Sequence, residues 1–319
     1  MKAKTHATVR LSHIDSEDTA YRITTSTSLD DLTDSIKNVG LLNPPLLIEK
    51  SETFRIISGF RRTEACKKLG WSDIEAWIAE PDTEKLECVK CAVTDNALQR
   101  PLNLIETSRS LKMLSGFFKD YKELARTASK LGLPGNMPVI KKVENLCLLP
   151  LPIQNAVLSD TIPLTIALEL EQLERDTAIA FAKLFDDLKP SLNKQREIII
   201  LVKEIAARED TSVAEILQET CVQEISGNHE LNRNQKTGKI RSYLKKRRFP
   251  SITNAEEKFG KLVQELKLGN NANIIPPSNF EGTLYSLNLH FANLEDLEKH
   301  WTTIEKMIKN PALAKMLER

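Results

Sequence analysis

The sequence predicts an α+β protein built in successive parts: a small α+β N-terminal domain, an all-α middle domain and a small α/β C-terminal domain. Three observations carry this. Short apolar runs at Leu46–Ile48, Phe54–Ser58 and Ile74–Ala79 alternate with segments of helical spacing. From residue 82 onward the apolar spacing is helical, broken by Gly132 and Pro190. Near the end, TLYSLNLHF alternates at the two-residue period of a strand between two helical patterns, NAEEKFGKLVQEL and NLEDLEKHWTTIEKMI.

A chain of 319 residues has room for two or three domains, each with its own core. With 28% charged and 41% hydrophobic residues, its composition is that of an ordinary soluble protein. No run of about 18 apolar residues occurs, and the start MKAKTHATVR lacks the apolar stretch of a signal peptide. The expectation is a cytoplasmic protein with no membrane partner. Five cysteines spread over this length argue against a disulfide framework and fit a reducing compartment.

Residues 1–27 are polar and aperiodic, with an irregular strand expected around Thr8–Ile14. Ser28 and Asp31 form the pattern of a capping box, Leu29, Leu32, Ile36 and Val39 recur on one helical face, and Gly40 closes the helix. Asn43, Pro44 and Pro45 impose extended backbone ahead of the strand Leu46–Ile48. A turn and the strand Phe54–Ser58 follow, and Ile74–Ala79 is a third strand stopped by Pro81. Asp82–Val93 has helical spacing with Leu86, Val89 and Val93 inward. Cys88 and Cys91 sit three apart on it, but a closed zinc site needs four ligands and no second pair follows, so they read as small apolar packing.

The stretch FRIISGFRRTEACKKL, Phe54–Leu69, places Gly59 between a strand and a helix, with Arg61 and Arg62 in the first helical turn. A glycine permits a tight turn and close approach of the backbone to a ligand. The unpaired N–H groups of a helix start and two guanidinium groups would then attract an anion, phosphate above all. Together with LDDLTDSIKNVGLLNPPLLIE before it and IEAWIAE after it, this stretch resembles the N-terminal domain of the ParB family of bacterial partition proteins. In that family the glycine and arginines of a Gly-Glu-Arg-Arg box hold the phosphates of CTP, and Gly59, Arg61 and Arg62 fall on it, with Phe60 in place of the glutamate. TDNALQRPLNLIE, beginning at Thr94, is similar to the third conserved box of that family, which helps hold the phosphates and Mg²⁺. The resemblance implies Asn96 at the nucleotide and Asp95, in place of the family's glutamate, at the metal. Leu102, Ile105 and Glu106 match the helix start that follows, while Gln99 and Arg100 are offset by one residue.

Tyr121–Leu131 is amphipathic and closed by Gly132, and a second helix is expected from Pro138 to about Leu149. This is a helix-turn-helix pattern, with Lys141 and Lys142 on the second helix as candidate DNA contacts. The segment from Glu144 to Leu170 also resembles ParB, although the turn is about four residues longer than the family's. Arg233–Arg248 (RNQKTGKIRSYLKKRR) carries eight basic and no acidic residues in sixteen, and is expected to be a basic linker whose Lys245, Lys246, Arg247 and Arg248 meet phosphates. The helix, strand, helix order beyond it is similar to the family's dimerisation domain. The expected boundaries are therefore 1–110, 111–232, 233–250 and 251–319.

The resemblance implies a homodimeric, nucleoid-associated protein that binds a centromere-like site on double-stranded DNA. CTP and Mg²⁺ would close it as a sliding clamp, CTP hydrolysis would act as a switch, and a ParA-type ATPase would be its partner. Enzymes on the same fold, namely nucleases, sulfiredoxin and a nucleotide-dependent kinase, form the alternative class, since fold does not fix function. Sulfiredoxin needs a cysteine in the turn where Phe60 stands, and a nuclease needs several carboxylates around its metals where Asp95 has no acidic companion in the motif. A ParB-like transcription regulator is a third reading.

Overall fold

The computed structural model describes residues 4–269 and 271–318, and contacts divide the chain into two units, residues 1–186 and 187–319. The first unit is α+β at its start. β1 (Lys4–Arg10), β2 (Ile14–Asp15), α1 (Asp30–Val39), β3 (Leu46–Lys50), β4 (Thr53–Ser58), α2 (Phe60–Lys68), β5 (Asp73–Ala79) and α3 (Lys85–Ala97) follow in order. The strands form one five-stranded sheet, ordered β1-β5-β3-β4-β2. β3 and β4 are an antiparallel hairpin, β5 runs parallel to β3, and β1 lies antiparallel to β5 on the outer edge.

Leu47, Ile56, Ile57, Ala65, Cys66, Ala76, Ala92 and Val93 are almost fully buried, so the core lies between the sheet and the helices. The strand expected at Thr8–Ile14 is instead two strands joined by a 3-10 turn, Leu11–His13, and it supplies both edges of the sheet. The capping box expected at Ser28 and Asp31 does not form. α1 begins at Asp30, so its N-cap is Leu29, whose side chain has no acceptor, and Asp31 lies within the first turn.

The rest of this unit is helical. α4 (Leu104–Ser115), α5 (Tyr121–Lys130), α6 (Met137–Val143), α7 (Leu151–Leu158), α8 (Leu164–Glu171) and α9 (Arg175–Leu188) succeed one another, the last crossing the division between units. α6 is shorter than its apolar pattern predicts. Pro150 holds Leu149 extended, with φ −63° and ψ 154°, and the chain between takes a 3-10 turn at Leu146–Leu148.

In the second unit, α10 (Leu192–Glu209), α11 (Val213–Gln218), α12 (Thr220–Gly227), α13 (Arg233–Arg248) and α14 (Pro250–Leu266) precede β6 (Ala272–Ile275), β7 (Ser286–Leu289), α15 (Leu294–Ile308) and α16 (Pro311–Leu317). β6 and β7 pair antiparallel, and Leu287 and Leu289 of β7 turn inward as the alternation predicts. Leu266, Ile274, Met307, Ala312 and Met316 form the buried cluster. The run expected to be a linker is the helix α13, since Thr237, Ile240 and Leu244 recur at helical spacing and are buried.

Candidate functional site

The first unit contains a cleft of roughly 260 Å³ lined by Asn43, Gly59, Arg61, Arg62, Asp95 and Asn96 among others. All five residues expected at a nucleotide and its metal therefore share one site. β4 delivers the turn. Its register against β3 slips between Leu46 and Leu47, next to the buried Ser58 that ends the strand. Gly59 has φ +99°, and a Cβ there would lie 2.7 Å from Pro45 Cβ and 2.9 Å from Pro45 Cα. Both the left-handed backbone and the missing space demand glycine. α2 starts at Phe60 with no side-chain cap, in contrast to α4, α5 and α6, which Asn103, Asp120 and Asn136 cap.

Arg61 donates to the Ser28 carbonyl at 2.8 Å, and its buried Nε has no partner among the described residues. Arg62 donates from Nη1 to the Asn43 carbonyl at 2.9 Å and from Nη2 to Asp95 Oδ2 at 2.8 Å. Asp95 also accepts from Ser58 Oγ in a short bond and from Gln99 Nε2 at 2.8 Å. Asn96 donates to the Ala92 carbonyl, 2.8 Å away. α3 runs through both residues, which places Asp95 and Asn96 in its last turn, beside Arg62. Phe60, where the family has glutamate, is buried with the Arg22 guanidinium 5.6 Å from its ring centre.

An uncapped helix start, a turn that excludes any Cβ and an unpartnered buried guanidinium nitrogen fit a polyphosphate. One carboxylate beside such an anion also fits Mg²⁺, which binds through few protein oxygens and phosphate oxygens. Among the described residues no group of three or more His, Cys, Asp or Glu is placed to hold a metal by itself.

The offset Gln99 and Arg100 still reach this cleft. Arg100 forms a two-pronged pair with Glu106, each bond 2.7 Å, and Glu106 is 1% exposed. Burial opposes ionisation of Glu106. Hydrogen bonds from Arg100 and from the N–H groups of Thr25 and Asn103 outweigh it and hold the carboxyl below its usual range. The Asn103-x-x-Glu106 capping box was the local signal for this position, but nothing local pointed to Ser58 or Asn43.

α5 and α6 form the two-helix unit that the sequence predicts, with Gly132 at φ +81° in the turn. Lys141 and Lys142 are exposed on α6. The Lys141 ammonium sits 5.0 Å from the Tyr121 ring centre, and the Tyr121 hydroxyl donates to Glu144.

The basic run differs more from expectation. Lys245 pairs with Glu197 at 3.0 Å, Lys246 with Glu257 at 3.3 Å and Arg248 with Glu204 at 2.8 Å. Arg247 bridges Glu209 and Glu219, each at 2.5 Å, and both carboxylates raise its pKa. All four of these cations are thus matched within the unit by acids outside α13. Among the described residues of α13, Arg233, Lys236 and Lys239 have no carboxylate at ion-pair distance.

A glycine-arginine turn between a five-stranded sheet and the helix bearing an Asp-Asn pair thus marks the cleft of this α+β domain. The family model of the ParB N-terminal domain matches residues 1–97, so this part of the chain is similar to that domain. A probable chromosome-partitioning protein ParB of Campylobacter jejuni is 38% identical over 96 residues, or 30% of this chain and 34% of that protein. One from Helicobacter pylori is 30% identical over 136 residues, 42% of this chain and 44% of the other. The chain thus spans about a third to under half the length of these curated relatives. A C-terminally truncated ParB from Caulobacter crescentus, complexed to the centromeric parS site, is 20% identical and covers 59% of this chain and 96% of its own, with a TM-score of 0.34.

Proposed function

We propose that this chain is a DNA-binding partition protein that holds CTP with Mg²⁺ in the cleft between α2 and α3. The observation that supports it most is the meeting of Gly59, Arg61 and Arg62 at the uncapped start of α2 with Asp95 and Asn96 on α3. In this reading the arginines and the first-turn N–H groups bind the phosphates, and Asp95 serves the cation. The cation supplies charge neutralisation of the triphosphate. Lys141 and Lys142 on the exposed side of α6 meet the DNA backbone. The protein works in the cytoplasm at the nucleoid, and a ParA-type ATPase is its partner.

Residues 251–319 are the dimerisation domain. α15 leaves Leu294, Leu297, Trp301 and Ile308 exposed, and with the half-buried Ile304 they recur at alternating steps of three and four residues, the spacing of a helix-pairing seam. The dimer closes on DNA as a sliding clamp when CTP binds, and hydrolysis releases it. Calorimetric titration of CTP, ATP, GTP and UTP, each with Mg²⁺ and with and without DNA, tests the nucleotide assignment. Saturable binding of CTP in preference to the others is expected, and its absence under all conditions would remove the switch from this reading.

A further inference from the structure

Asp95 does more in this cleft than wait for a cation. Its carboxylate takes Nη2 of Arg62 at 2.8 Å, the hydroxyl of Ser58 in a short bond, and the amide of Gln99 at 2.8 Å. Arg62 Nη1 is already committed to the Asn43 carbonyl at 2.9 Å, so Nη2 is the terminal nitrogen left for an anion. Ser58 and Arg62 are the residues on either side of the Gly59 turn, where a phosphate would find its donors. Ser58 is 3% exposed, and the side chains of Arg62 and Asp95 are 19% and 35% exposed. Solvent and salt therefore screen the pair only in part.

We propose that Asp95 is a built-in competitor for the phosphate position: without ligand its carboxylate occupies the Arg62 and Ser58 donors, and a divalent cation is required to relieve the competition. The inference rests on the polyphosphate reading of the cleft and adds its regulation. An incoming polyphosphate must displace the carboxylate or lie beside it, losing donors in the first case and meeting like charge in the second. A cation bound between Asp95 and the phosphates cancels the repulsion. Binding of the anion and the cation thereby becomes one coupled event.

Asp95→Asn separates the roles, since the amide keeps the size of the side chain and one acceptor oxygen and loses its charge. Calorimetry with inorganic tripolyphosphate and with CTP, in EDTA and in Mg²⁺, reads the outcome, and thermal melts establish that the variant is folded. Asp95→Ser serves if the amide variant is not. In EDTA, Asp95→Asn should bind both probes at least about ten-fold more tightly than the native chain. Mg²⁺ should close most of that gap, mainly by tightening the native chain. If Asp95→Asn is no tighter in EDTA while the native chain binds CTP with Mg²⁺, the competitor is overturned and the nucleotide reading stands. If the variant gains affinity for tripolyphosphate but neither protein prefers CTP, the competitor stands and the CTP assignment fails. Absence of binding by both proteins to both probes overturns the two together.

Discussion

An alanine at Gly59 would have to hold φ at +99° with its Cβ against Pro45. The backbone conformation alone costs about 1–3 kcal/mol, so Gly59→Ala should lower the melting temperature as well as weaken anion binding. Arg61 stands differently, because its main protein contact is one carbonyl and its buried Nε is unpartnered. Arg61→Ala should leave the fold intact and cost a charge-assisted contact worth about 1.5–3 kcal/mol, roughly ten- to hundred-fold in CTP affinity by calorimetry. DNA binding without nucleotide should be unchanged in that variant, and a parallel loss there would deny the two functions separate sites. Glu106 carries a pH dependence. Its folded pKa lies below the ordinary 4.5, so its stabilising contribution is present above that pH and is lost as pH falls through the folded value. Arg100→Ala removes the strongest donors from a buried carboxylate, at a cost of up to about 3 kcal/mol. Acid unfolding of the variant, followed by circular dichroism, should begin at higher pH than in the native chain.

At the scale of the elements, α13 is a structural helix before it is a DNA surface. Arg247 ties together two carboxylates, leaving Glu209 only Arg208 and Glu219 only the Tyr243 hydroxyl if it is lost, and Arg208 donates to the Arg247 and Arg248 carbonyls at 2.7 and 2.9 Å, closing the helix end. Arg247→Ala should therefore lower the thermal stability of the second unit, with little change in the salt slope of DNA binding. The double change Lys141→Gln, Lys142→Gln on α6 should reduce that slope by about one to two counterions. Equal slopes in both variants would refute the placement of DNA on α6, and a large drop in the Arg247 variant alone would return it to α13.

For the whole molecule, the seam on α15 has the testable consequence. Trp301 is 73% exposed and takes no part in the buried cluster of its unit, so Trp301→Glu should leave the fold in place and disfavour pairing of two copies. Analytical ultracentrifugation should find a dimer for the native chain and a monomer for the variant. The monomer should bind a two-fold DNA site much more weakly, since the second half-site no longer gains from linkage. A variant that still sediments as a dimer would place the interface elsewhere.

The sequence by itself determined the features that depend on neighbours along the chain. These are the strand, glycine and arginines around Gly59, the two helices about Gly132 and the alternation in β7, all set by periodicity and turn chemistry over a few residues, whereas the Asp95-Asn96 pair was legible only through resemblance to a family box. The boundary of α6 escaped, because Pro150 decides it from outside the periodic pattern. Tertiary structure alone decided which charges are free. Asp95 meets Arg62 from 33 residues away, and Arg247 meets Glu209 and Glu219 from 38 and 28. A charge run looks available in sequence because linear spacing counts only its own helix, whereas packing brings acids from other helices against it. The same holds for the sheet, whose edges come from β1 and β2 because burial of the whole core, and not any local pattern, selects the strand that completes it.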